Sequence, residues 1–267
     1  MNYIIIVIYN KNCEESISLQ CIKKYNIPDN FQIIIFDNST SDLQNKQFCE
    51  ENGFIYYGFN ENRGLSKAYN YVISKIPHNN DSYLFIFDDD TFITQEYFNE
   101  ANELIQLKEF DIILPIVKAG NLIISPCNTK YRSGARSVKS IADIDMKKIT
   151  AINSGMIVKL SVYDSISYNE DLFLDCVDHD FMYSVRAKNY RIKIMNSVIF
   201  QNYSRKEKGS LEGAITRFNI YKKDFKVYAQ KTANPFFYVL SMLKLAVENS
   251  VKYKNPVFVK MLITGKF

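Results

Sequence analysis

Apolar runs of strand length alternate with longer polar, helix-like stretches over the first hundred residues. Tyr3 to Tyr9 is a continuous apolar run, the pattern of a parallel strand buried on both faces. A polar helix candidate follows from Glu14 to Tyr25, then a second strand, Phe31 to Phe36, running into Asp37-Asn38-Ser39. Cys49-Glu50-Glu51-Asn52-Gly53 reads as a helix end leading to a short third strand, Phe54 to Tyr57. Leu65 to Ile76 carries helical periodicity, and Tyr83 to Phe87 is a fourth strand that stops at Asp88. Strands alternating with helices predict an α/β fold on a mainly parallel sheet. Ligands of such sheets bind beyond the carboxyl ends of the strands, where Asn10, Asp37 and Asp88 fall.

The pattern is less regular afterwards. Strand-like pieces between Asp111 and Ser161 are separated by Gly120, a polar stretch from Asn128 to Ser140, and Gly155, with Ser133 to Ser137 reading as a mobile loop. Tyr168 to Asn189 joins an acidic cluster to a helical pattern, and Arg191 to Phe200 is a last strand. Beyond Tyr203 the chain is basic and helical, broken at Pro235 and Pro256. The expected organisation is one α/β domain over residues 1–205, in halves of about 1–100 and 101–205, followed by a basic helical extension over 206–267.

Composition narrows the class. With 47% hydrophobic and 23% charged residues, the chain is ordinary for a globular protein. The net charge of +4 hides an asymmetry: residues 206–267 hold 12 Lys/Arg against 4 Asp/Glu, while 1–205 hold 21 against 25. A nucleic-acid binder would carry its basic excess across the folded domain, so no nucleic-acid partner is expected. Five cysteines, odd in number and without a CxxC pair, fit a reducing cytosol rather than a disulfide framework. No basic n-region precedes the first strand, and the uncharged stretch from Thr232 to Leu243 is too short to span a bilayer, so a cytoplasmic location is expected.

The run Asp88-Asp89-Asp90 carries the chemistry. Three carboxylates at the end of a buried strand are costly without compensation. They read either as a surface turn or helix cap, or as the seat of a divalent cation carrying phosphate. Asp89, between the other two, points to the opposite side if strand geometry persists.

Further motifs resemble a known family. Asn62-Arg63-Gly64-Leu65-Ser66-Lys67-Ala68-Tyr69-Asn70 has the N-x-G-x-x-x-A-x-N spacing of family 2 glycosyltransferases, and Asp37-Asn38-Ser39 and Asp88-Asp89-Asp90-Thr91 are similar to their second-strand and D-x-D motifs. Phe173-Leu174-Asp175-Cys176-Val177-Asp178-His179-Asp180-Phe181 resembles the F-x-D-x-x-D-x-D segment of their bacterial rhamnosyltransferase-like members, with Ser154-Gly155 as the small pair before it. The resemblance runs from about residue 3 to 200 and implies a GT-A type fold. It also implies inverting transfer from a dTDP- or UDP-linked sugar, with rhamnose the first choice, to a glycan or lipid-linked glycan of the bacterial surface.

The resemblance further assigns roles. Asp88 and Asp90 would hold Mg²⁺ or Mn²⁺, Asp90 more directly. Tyr9, Asn10, Asp37, Asn62, Arg63, Gly64, Asn70, Asp88 and Asp89 would line the donor side, with Gly64 letting backbone approach a phosphate or base. Asp178 would be the general base, with Ser154, Gly155 and Asp175 on the acceptor side. Asp175 and Asp180 are close enough in sequence to stand in for Asp178, and the cluster would also complement a helix dipole. The further histidine ligand that relatives often place after the last strand is missing from Phe200-Gln201-Asn202-Tyr203-Ser204, leaving water, Asn202 or a looser metal dependence to fill the gap. In the tail, apolar residues interleaved with lysines from Phe236 to Phe267 suit the inner surface of an anionic membrane, against the plainer reading of solvated lysines on packed helices. Two rival functions are a sugar nucleotidyltransferase, which Asn10-Lys11-Asn12-Cys13 disfavours for want of a glycine loop, and a non-catalytic membrane-associated binding protein.

Overall fold

The computed structural model describes residues 1–267 apart from 26, 29, 79–80, 131–133, 202–208, 233–234 and 265–267. The first half alternates as expected: β1 (Asn2–Ile8), α1 (Ile17–Lys24), β2 (Phe31–Asp37), α2 (Asn45–Glu51), β3 (Ile55–Gly58), α3 (Leu65–Lys75) and β4 (Tyr83–Asp88). Then come β5 (Thr91–Phe92), α4 (Gln95–Leu107), β6 (Ile112–Ala119) and β7 (Leu122–Ser125). A small three-stranded sheet follows, formed by β8 (Cys127–Lys130), β9 (Gly134–Arg136) and β10 (Ile149–Thr150). The chain finishes with β11 (Met156–Lys159), α5 (Val177–Ala187), β12 (Ile192–Gln201), α6 (Leu211–Thr232), α7 (Pro235–Tyr253) and α8 (Val257–Thr264).

The main sheet runs β3-β2-β1-β4-β11-β6-β12-β5, with β7 beside β6. Strands β3, β2, β1 and β4 are parallel, and so are β6 and β12. The sheet is mixed because β11 enters antiparallel between β4 and β6. The register pairs Ile8 with Asp37 and Val7 with Asp88, so the two aspartates close the strands on either side of β1 at one edge of the sheet.

Side-chain alternation along β1 explains the two cores. Tyr3, Ile5 and Val7 face one layer, and Ile4, Ile6 and Ile8 face the other. The second layer is closed by α1 and α4 through Leu19, Ile22, Tyr97 and Phe98. The first is closed by α3 and α5, and equally by the C-terminal helices: Phe218, Phe225, Tyr228, Met242, Phe258 and Met261 are buried in it. A single core thus crosses the boundary drawn at 205/206 from charge. Gly134–Arg136, expected within a loop, is a strand paired with β8, while Ser133 lies outside the described residues.

Candidate active site

A cleft of about 970 Å³ opens at the carboxyl ends of β1 and β4. One wall carries Asp88, Asp89 and Asp90, and the other carries Asp178 and the first turns of α6. The acidic turn is fixed from below by α1. Buried Ser16 caps that helix and bonds the Asp89 carbonyl at 3.1 Å, while buried Ser18 contacts the Asp88 carbonyl and accepts the Thr91 N–H at 3.2 Å. Backbone groups are thereby satisfied, leaving the carboxylates to face the cleft.

Asp88 Oδ2 accepts from the Ser154 hydroxyl and from Gln201 Nε2 at 2.9 Å. The same amide nitrogen lies 3.4 Å from Asp90 Oδ1, so Gln201 draws the two carboxylates around one point. Burial pushes the Asp88 carboxyl up to about 6; the Ser154 bond opposes this, and the charges of Asp90, Asp178 and Asp89 add to it. Asp90 is raised in the same direction, first by burial. Asp89 pairs with Lys11, and both line the cleft. An oxygen-rich pair of this kind fits a hard divalent cation that keeps open positions for phosphate. Among the described residues no group of three or more His, Cys, Asp or Glu forms a metal cluster. Asn202 lies outside the described residues.

The three acids of the opposite wall are separated by their partners. Asp175 is buried and held by both terminal nitrogens of Arg217, one at 2.6 Å. Asp180 is buried and bonded by Lys231 at 2.9 Å. Asp178 lines the cleft, accepts the His179 backbone N–H at 2.7 Å with the ring of that histidine 4.0 Å away, and has no Lys or Arg partner among the described residues. A third residue of α6, buried Asp224, accepts the N–H groups of Phe173, Leu174 and Asp175 at 3.0, 2.8 and 2.7 Å. Arg217, Asp224 and Lys231 recur at seven-residue spacing, so one face of α6 grips the whole segment that presents Asp178. The thiol of Cys176, at the left-handed start of α5, is pushed up by burial and the surrounding carboxylates, so it stays protonated.

The remaining expected residues divide. Tyr9, Asn62 and Gly64 line the cleft. Gly64 has φ +79°, and a Cβ there would meet the Phe173 carbonyl at 2.6 Å; its freedom serves the approach of Phe173. Asn62 Oδ1 accepts the Gly64 N–H at 3.0 Å, and Asn38 bonds both Arg63 and Gly64 backbone. Arg63, expected at the nucleotide, turns outward, stacked 3.6 Å over the Phe59 ring and paired with Glu61 at 2.5 Å. Asn70 is a brace, bonding both backbone groups of Tyr168. Asp37 is buried, its carboxylate bonded to Ser39 N–H, Asn45 and Tyr56. Asn10 holds the Ser39–Thr40 turn. On the expected acceptor side, Ser154 serves Asp88 and Asp175 serves Arg217. Gly155 is packed away from the cleft, at φ +76°, against Ile199 and Pro115. Gln201, Ser18 and the α6 residues had no signal in the sequence pattern.

The model of the family described as "Glycosyl transferase family 2" matches residues 3–164. A search of curated proteins gives no match. Among solved structures, the S. aureus TarS 1-349 crystal structure is 15% identical with a TM-score of 0.54, over 87% of this chain and 66% of that one; related TarS structures hold UDP or UDP-GlcNAc. The mannosyltransferase PcManGT from Pyrobaculum calidifontis, in complex with GDP-Man and Mn²⁺, is 14% identical with a TM-score of 0.60, over 100% and 76%. GalNAc-T7 with UDP, GalNAc and Mn²⁺ is 11% identical with a TM-score of 0.60, over 85% and 49%. The chain therefore spans just under two thirds of the TarS fragment and about half of GalNAc-T7, and at these identities the likeness is one of fold.

Proposed function

Since the chain belongs to glycosyl transferase family 2, we propose that its cleft moves a sugar from a nucleoside-diphosphate donor to an acceptor hydroxyl, with inversion at the anomeric carbon. The observation that carries this reading is the division of carboxylates across the cleft. Asp88 and Asp90 are gathered around the Gln201 amide on one wall, while Asp178 alone of the three opposite acids has no Lys or Arg partner among the described residues, only the His179 ring at 4.0 Å. The acceptor oxygen attacks the anomeric carbon and its proton passes to Asp178. The bond from that carbon to the diphosphate breaks, and the nucleoside diphosphate leaves. General-base assistance of this kind is worth about 10²–10⁴ in rate. Mg²⁺ or Mn²⁺ on Asp88 and Asp90 would offset the charge gathering on the leaving group. The nucleotides and Mn²⁺ held by structural neighbours support that donor class.

The resemblance of Phe173–Phe181 to rhamnosyltransferase-like segments supports rhamnose as the sugar, from a dTDP- or UDP-linked donor. The acceptor is proposed as a growing bacterial surface polysaccharide or lipid-linked oligosaccharide, the latter bringing the protein to the inner face of a membrane. The test is thermal shift of the purified protein against UDP-, dTDP- and GDP-sugars with Mn²⁺ or Mg²⁺. Binding at a hundredfold excess over Kd stabilises by about 2.7 kcal/mol. At least one donor should raise Tm, with the rise abolished by EDTA. Stabilisation by no donor and no nucleoside diphosphate would remove the reading.

A further inference from the structure

Helix α7 packs on the molecule with one side only. Met242 and Ala246 are buried in the core, and Tyr238 packs on Phe225 of α6. On another side Val239, Leu240, Leu243, Val247 and Val251 are all exposed, Val251 by 73%. Their spacing of one, three and four residues puts them on a single face. At 1.5 Å per residue, that stripe is about 18 Å long. Ile263 of α8, 77% exposed, adds to the apolar surface of these helices. Contiguous apolar surface of this kind is uncommon on a protein that meets only water.

We propose that this face of α7 docks on the surface of an anionic lipid bilayer. Charge decides the occupant: residues 235–264 contain Lys244, Lys252, Lys254 and Lys260 against the single acid Glu248. Face-to-face docking of a second copy would bring like charges together, whereas anionic headgroups attract them. Among the described residues no helix is long and apolar enough to cross a membrane, so α7 lies along the surface with its apolar side chains in the headgroup boundary. The inference goes beyond the transfer chemistry and stands whether or not the cleft transfers a sugar.

Co-sedimentation of the full chain with vesicles tests it, comparing phosphatidylcholine alone with phosphatidylcholine plus phosphatidylglycerol. The protein should pellet with the anionic vesicles and far less with the neutral ones, and added salt should weaken the binding. The triple variant Leu240→Ser, Leu243→Ser, Val247→Ser changes exposed positions only, so its Tm should match the parent. Its partitioning should fall roughly tenfold or more, from the apolar surface removed. Equal partitioning of parent and folded variant would overturn the proposal, as would a parent that stays in solution with both vesicles. A dimer seen by light scattering for the parent and lost in the variant would overturn it in favour of a second copy.

Discussion

Asp175, Asp178 and Asp180 are near neighbours in sequence, yet the fold gives them different work. Two are buried against cations of α6, and their charge is spent there. Asp178, half-buried, lines the cleft and is the acid proposed to take the proton. From sequence only the family resemblance prefers Asp178, and Asp175 and Asp180 could stand in for it, because the partners that separate them lie 42 and 51 positions away. Asp88 and Asp90 are legible by contrast: a buried strand that ends in acids announces itself. Gln201 is not, since a single amide at a strand end carries no pattern. Gly155 shows the reverse error, a motif glycine whose need is steric. A Cβ there would come within 2.5 Å of Ile199 and 2.8 Å of Pro115, in a left-handed backbone. Gly155→Ala should therefore cost about 1–3 kcal/mol. Urea unfolding measures that loss, and an unchanged midpoint would contradict the packing account.

At the scale of elements, α6 is a splint laid along the segment that presents Asp178. Its heptad-spaced Arg217, Asp224 and Lys231 tie down the chain on both sides of Asp178, while its first turns form part of the cleft wall. Charge alone sets this region apart as an extension, but the apolar positions from Arg217 to Tyr228 fit a helix that covers the domain, and Phe218, Phe225 and Tyr228 are buried in its core. Strands β1 and β4 were legible for the opposite reason: apolar runs buried on both faces leave little choice of structure. Antiparallel β11 was not, because a four-residue strand carries too few positions to set direction. Asp224→Asn keeps the shape but loses the charge-assisted bonds to three N–H groups, which should lower stability by about 2 kcal/mol. Turnover should fall further than nucleotide affinity, since the donor wall is untouched. Calorimetry and initial rates on the same preparation separate the two, and equal losses would make α6 merely structural.

Across the whole molecule, the cleft joins pieces that are far apart in sequence. The wall of Asp88–Asp90 comes from the first half of the chain, with Ser154 and Gln201 added from beyond it, and the other wall from α5 and α6. One core beneath the sheet takes side chains from β1 through α8, so both walls rest on the same support. That arrangement allows the leaving group to be held on one side while the acceptor is deprotonated on the other. The central claim is this division of labour. The most direct measurement is Asp178→Asn, assayed with the donor that stabilises the parent protein, for both metal-dependent donor binding by calorimetry and transfer rate. Binding should be unchanged within about twofold while transfer falls by about 10²–10⁴. Transfer that survives the substitution, or donor affinity lost together with it, would contradict the account.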